Sequence, residues 1–108
     1  MGESLTILRF LADHPENYEY FYNARTPPEA PSATLKCVAE MFTNYMEHVA
    51  QQRETMPKSE QAYWSKFVRE TYARSPVIQK HLREFKDWYD PRLHRLVEGV
   101  TPLSPPVI

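Results

Sequence analysis

His81 is the side chain whose type and surroundings come closest to chemistry. It lies in "SPVIQKHLREFKDWYDPR", between Ile78 and Leu82 on an otherwise apolar helical face. An imidazole there must find a hydrogen-bond partner or stay neutral. One reading makes it a base or ligand in a pocket between helices, lined by Trp64, His81, Trp88 and Tyr89. The plainer reading makes it a core histidine satisfied by a carbonyl or carboxylate. Glu40, Asn44 and His48 form a stripe at i, i+4, i+8 that is able in principle to hold a metal. The stripe lacks the two-histidine spacing of helical zinc sites and reads as a solvated face. Cys37 adjoins Lys36, has no activating base beside it in sequence, and reads as an unreactive thiol. Glu84, Asp87 and Asp90 are interleaved with Arg83, Lys86 and Arg92, a pattern of capping and surface pairing and not of a raised-pKa carboxylate pair. Glu98 stands alone. No catalytic residue, metal or cofactor is therefore assigned.

Rings are the second resource. The chain holds seven Tyr, five Phe and two Trp. In "NYEYFYN" four rings, Tyr18, Tyr20, Phe21 and Tyr22, occupy five consecutive positions. On a helix begun at Pro15, Tyr18, Phe21 and Tyr22 share one side at i, i+3, i+4, which leaves Tyr20 at the edge, open to a partner. The stretches "YWSKFVRETYARS" and "HLREFKDWYDPRLHR" interleave rings with cations, as a grip on single-stranded nucleic acid would. At helical spacing the rings and charges fall on different faces, as core and solvent faces do. The formal net charge of −1 also argues against nucleic acid.

The elements that must position these groups are helices, and proline punctuates them. Residues 4–13 read as a first helix, with Leu5, Leu8 and Ala12 along one side and Ile7, Phe10 and Leu11 around the other. A helix this apolar should be buried on two sides or shared with a second copy or a partner. His14-Pro15 interrupts it, and Asp13 or His14 caps a short aromatic helix. The segment 24–33, "ARTPPEAPSA", is a Pro-rich loop. Ser32 or Thr34 then caps the longest helix, 34–54. There Leu35, Val38, Phe42, Tyr45, Met46 and Val49 fall in one apolar arc, with Glu40, Asn44, Glu47 and His48 opposite. Ser59 caps a fourth helix through Arg74, with Tyr63, Trp64, Phe67, Val68, Thr71 and Tyr72 on its apolar side. Ser75-Pro76 starts a fifth, which carries Val77, Ile78, His81, Leu82, Phe85, Trp88 and Tyr89 on one broad face. Asp90-Pro91 starts a last short helix bearing Leu93, Leu96 and Val97, closed by Gly99. The pattern predicts an all-α fold of five or six helices, orthogonal or bundle-like. It spans 1–98 as a single domain, with a loose Pro-rich tail over 99–108.

Composition sharpens the exclusions. With only two glycines, Gly-rich phosphate loops and nucleophile elbows are ruled out. The single cysteine rules out an internal disulfide framework and suits a reducing interior. The longest apolar-leaning run, 5–12, is broken by Arg9 and falls far short of the roughly 20 residues of a membrane span. A soluble chain is expected.

Taken together, "PE…YFY", "AEMFTNYMEHV", "W..FVRE…ARSP" and "DWYDPRL" resemble a widespread family of uncharacterised bacterial all-helical domains. The similarity runs over approximately 5–97, and its most specific pieces are Tyr20-Phe21-Tyr22, Ser75-Pro76 and Asp87-Trp88-Tyr89. The resemblance implies the helical fold and a bacterial origin, and supplies no activity. Members often carry a membrane helix ahead of the domain, and this chain departs from them in lacking one. The expected location is the cytoplasm, or the cytoplasmic side of a membrane if an anchor was removed. The expected function is a small non-enzymatic interaction or regulatory domain that binds a protein partner or itself through Phe10, Tyr18, Tyr20 and Tyr22. A small-molecule binder or enzyme using the aromatic and histidine pocket is the alternative.

Overall fold

Serine, aspartate and proline set the helix starts in the computed structural model, which describes residues 2–28 and 31–103, with side chains from Ile7 onward. Leu5's side chain, loop positions 29–30 and tail residues 104–108 lie outside the described residues. Six helices follow one another: α1 (Gly2–Asp13), α2 (Tyr18–Tyr22), α3 (Ala33–Gln52), α4 (Lys58–Arg74), α5 (Pro76–Glu84) and α6 (Pro91–Val97). Single 3₁₀ turns occupy Pro15–Asn17, Arg53–Thr55 and Lys86–Trp88. There is no strand among the described residues, and the fold is all-α. Nor is any helix among them long and apolar enough to cross a membrane.

The caps explain the boundaries. Ser32 Oγ accepts from Leu35 N at 3.1 Å and starts α3. Asp90 Oδ1 accepts from Arg92 N at 2.8 Å and starts α6, with Pro91 supplying the preset φ of a first helical residue. Ser59 departs from expectation. It lies inside the first turn of α4, whose cap position is Pro57, with no side-chain cap bond. Gly99, at φ 76°, ends α6 in the left-handed region that glycine tolerates best. Beyond it, Val100 N donates to Val97 O at 3.1 Å and Leu103 N donates to Ala73 O at 2.8 Å. The first residues of the expected loose tail are thus tied to the ends of α6 and α4.

α3 is the central helix and packs against α1, α4, α5 and α6. Its expected apolar arc is the core face. Leu35, Val38, Phe42, Tyr45, Met46 and Val49 are all buried, and burial of each such side chain contributes about 1.5–3 kcal/mol. Phe21 of α2 stacks on Phe42 with ring centroids 4.8 Å apart, so the aromatic turn closes one part of this core. On α1, Ile7 and Leu11 are buried, Phe10 is half-buried and Leu8 is exposed.

The α4–α5 corner depends on Ser75, which is fully buried. Its Oγ accepts from Ile78 N at 3.2 Å, capping α5, and donates to Tyr20 O at 2.8 Å. Beside it, Gln79 Nε2 donates to Tyr72 O at 2.7 Å and Ala73 O at 3.3 Å, satisfying carbonyls that the end of α4 leaves open. Replacing Ser75 by alanine leaves both Ile78 N and Tyr20 O without a partner in a buried place. Ser75→Ala should lower unfolding free energy by about 2 kcal/mol in urea denaturation. Ser32→Ala, at an exposed cap, should cost about 1 kcal/mol or less. Equal losses for the two variants would show that the Tyr20 link contributes nothing.

Candidate functional site

α5 stops earlier than its hydrophobic pattern suggests, and a groove lies beside the segment where it stops. Asp90 precedes Pro91 and must be extended (φ −60°, ψ 136°), and Tyr89 before it is extended too (φ −113°, ψ 149°). The helix ends before them, at Glu84, where Phe85 leaves helical geometry (φ −111°, ψ 30°), and Lys86–Trp88 forms a 3₁₀ turn. On a continuous helix Phe85, Trp88 and Tyr89 would all share the core face. With the helix broken, Tyr89 turns inward at 9% exposure while Trp88 turns outward at 82% and Phe85 at 43%.

Three tethers hold this turn. Glu47 Oε2 on α3 accepts from Asp90 N at 2.8 Å. His94 Nε2 on α6 donates to Lys86 O at 2.9 Å. His81 Nε2 on α5 lies 2.8 Å from the Tyr89 hydroxyl. Asp90 is fastened in turn by Arg92, whose Nε and Nη2 donate to its carboxylate at 3.1 and 2.8 Å. Those bonds hold the Asp90 carboxyl well below the usual carboxylate range.

Between α3 and the α5–turn segment lies a groove of about 730 Å³. Its α3 wall presents Lys36, Cys37, Glu40, Asn44 and Glu47. The facing wall presents Val77, Lys80, His81 and Glu84, continued by Phe85, Trp88 and Tyr89. The polar arc of α3 is thus in part a groove wall. Burial lowers the His81 pKa, with the Glu40 and Glu84 carboxylates opposing the shift. Burial also pushes the Tyr89 hydroxyl up to about 12, helped by the charges of Glu40 and Glu47. At neutral pH the pair is therefore two uncharged groups sharing one hydrogen bond, an arrangement that fastens Tyr89 to α5. Among the described residues no group of three or more His, Cys, Asp or Glu side chains converges as metal ligands would.

Of the four sequence-predicted pocket residues, the fold brings His81, Trp88 and Tyr89 to the groove. Trp64 is not among its lining residues, and its ring packs edge-on against Tyr45, Tyr63 and Phe67 at 6.5, 5.3 and 5.6 Å. Sequence reasoning missed Glu40, Asn44 and Glu47 as groove residues. Their common arc on α3 was visible, but nothing local indicated that α5 would face it.

The predicted partner-binding rings do not form one surface. Tyr18 and Tyr22 stack at 4.6 Å and border a second, more open hollow with Leu8, Leu11 and Arg25. Tyr18 is exposed, whereas Tyr22 is half-buried and burial raises its hydroxyl pKa. Tyr20 is half-buried with the Arg25 guanidinium 5.2 Å above its ring. Arg25 itself pairs with Glu19 at 2.8 Å. Phe10 packs on His14 at 5.0 Å and does not border that hollow.

What fold and groove define is a small all-α domain with an aromatic, carboxylate-flanked cleft. No protein-family model, curated protein or solved structure matches the chain.

The His81 pKa carries a sign that experiment can read. Because burial lowers it in the folded state, the unfolded chain binds the proton first as pH falls below about 6.5. Stability contributed by His81 is full above that pH and declines as pH drops toward the folded midpoint. In an NMR titration, the His81 ring-proton shift should show a midpoint below 6.5. A midpoint at or above that value would mean that the carboxylates outweigh burial.

Proposed function

We propose that this chain is a non-enzymatic interaction domain whose α3–α5 groove receives a short segment of a protein partner. The observation that carries the reading is Trp88, 82% exposed yet carried on a turn pinned by Glu47, His81 and His94. Exposing a tryptophan is costly for a soluble surface, and tryptophan is among the residues most enriched where interfaces concentrate their energy. Pinning the turn in advance reduces the ordering cost of binding. A bacterial origin and a regulatory role in the cytoplasm belong to the same proposal, supported by the family resemblance and by the unpaired Cys37 thiol.

A second reading, a small-molecule site, draws on the groove volume, which falls in the range of about 300–1,000 Å³ typical of ligand pockets. The half-buried His81 and the buried Tyr89 in its wall supply the few polar groups such a site needs. Under that reading, compounds that raise the melting temperature of the chain should lose their effect in Trp88→Ala.

The test of the leading proposal is a selection of phage-displayed 12-residue peptides on the full chain. Enriched peptides should bind Trp88→Ala at least tenfold more weakly. The variant should change unfolding free energy by less than about 0.5 kcal/mol, because the ring is exposed. Failure to enrich peptides, or equal binding to both proteins, overturns the groove as a partner site. A chain that is dimeric by light scattering and becomes monomeric in Trp88→Ala would make a second copy the partner.

A further inference from the structure

We infer that the α3–α5 groove selects a cationic anchor, an arginine or lysine side chain of the partner. This inference rests on the groove being a partner site and specifies the chemistry of what enters it. Glu40, Glu47 and Glu84 face the cleft together with Lys36 and Lys80. Glu47 already accepts from Asp90 N at 2.8 Å, and Glu84 lies 3.8 Å from Lys80. Glu40, in contrast, has no hydrogen-bond or ion-pair partner among the described residues, although Lys36 stands one turn away on the same helix. Glu40 is exposed on the α3 wall, so a segment that lies along this wall displaces part of the water around its carboxylate.

A neutral apolar occupant would leave that charge unpaired, and an anionic one would add repulsion. A cation restores both the hydrogen bonds and the charge partner that the carboxylate loses, where a neutral donor restores only the hydrogen bonds. The groove offers a cation a second attraction. Trp88 and Phe85, both exposed, line the same groove as the carboxylates, and the electron-rich ring face attracts ammonium and guanidinium groups, tryptophan most strongly. Two cations also line the groove, Lys36 and Lys80, the latter paired with Glu84 at 3.8 Å, against the three carboxylates of Glu40, Glu47 and Glu84. The His81–Tyr89 pair is uncharged at neutral pH. Carboxylate and rings together favour a long side chain with an apolar stem and a charged head, which describes arginine and lysine.

The experiment titrates the ¹⁵N-labelled full chain with N-acetyl-arginine methylamide, N-acetyl-lysine methylamide and the uncharged isostere N-acetyl-citrulline methylamide, following the Trp88 indole N–H signal. At equal concentration the cationic probes should shift this signal at least threefold more than citrulline does. Glu40→Gln should reduce the arginine shift at least threefold, whereas Glu98→Gln, at an exposed position after α6, should leave it unchanged. Raising salt should weaken the arginine shift. If citrulline and arginine move the Trp88 signal alike, or Glu40→Gln has no effect, selection by charge is overturned while the peptide-binding reading stands. If Trp88-dependent peptides are recovered by the selection but lack arginine and lysine, the outcome is the same. If no probe moves Trp88, the cationic anchor is likewise excluded. Failure of the peptide selection itself would count separately, against the groove.

Discussion

The Ser75 hydroxyl is the interaction on which the arrangement of helices most depends. It donates to Tyr20 O and accepts from Ile78 N, so one buried group joins α2, the end of α4 and the start of α5. Its backbone is equally engaged, with Ser75 N donating to Tyr72 O and Ser75 O accepting from Gln79 N. A buried polar junction of this kind tolerates little displacement, since every group it leaves unpaired is costly in a dry place. The starting point of α5 relative to α2 and α4 is therefore set.

From that fixed start, nine residues of α5 reach Glu84, and the other end is held by a second set of bonds. Glu47, His94 and His81 each take one group of the segment 86–90. The groove is the space left between α3 and a segment held at its start by Ser75 and at its far end by Glu47, His81 and His94. Its electrostatics follow from the same packing. Half-burial keeps His81 uncharged despite the carboxylates of Glu40 and Glu84, so desolvation outweighs two favourable charges there. At Asp90 the balance runs the other way, because direct hydrogen bonds from Arg92 outweigh the loss of water. The difference is one of contact: Arg92 touches its carboxylate, whereas the two glutamates act on the imidazole only through space.

Much of the fold was legible in local signals. Ser75-Pro76 and Asp90-Pro91 announced two helix starts, and Ser32, one of two caps the sequence offered, proved to start α3, because cap and proline chemistry operates within a few residues. The core arc of α3 was legible because an apolar repeat of 3.6 has one geometric meaning over twenty residues. Where local signals failed, they failed for an identifiable reason. Ser59 looked like a cap, but Pro57 already supplied an extended residue in front of the helix. Phe85, Trp88 and Tyr89 fitted the periodicity of α5, and the periodicity contained no information about the bonds that end the helix. Tyr20 looked free, and Arg25, five residues on, covers its ring.

Composition and spacing alone determined that this chain is helical, where most of its helices begin, which side of α3 is core, and that phosphate loops and disulfide frameworks are absent. Only the tertiary structure decided that Trp88 faces outward while Tyr89 faces in, that Trp64 lies away from His81, and that the polar arc of α3 is one wall of a groove. The physical reason is separation along the chain. Caps and amphipathic arcs are settled by neighbours within about two turns of helix. The groove is settled by Ser75 meeting a carbonyl 55 residues away and by Glu47 meeting an amide 43 residues away, pairings that no local pattern encodes.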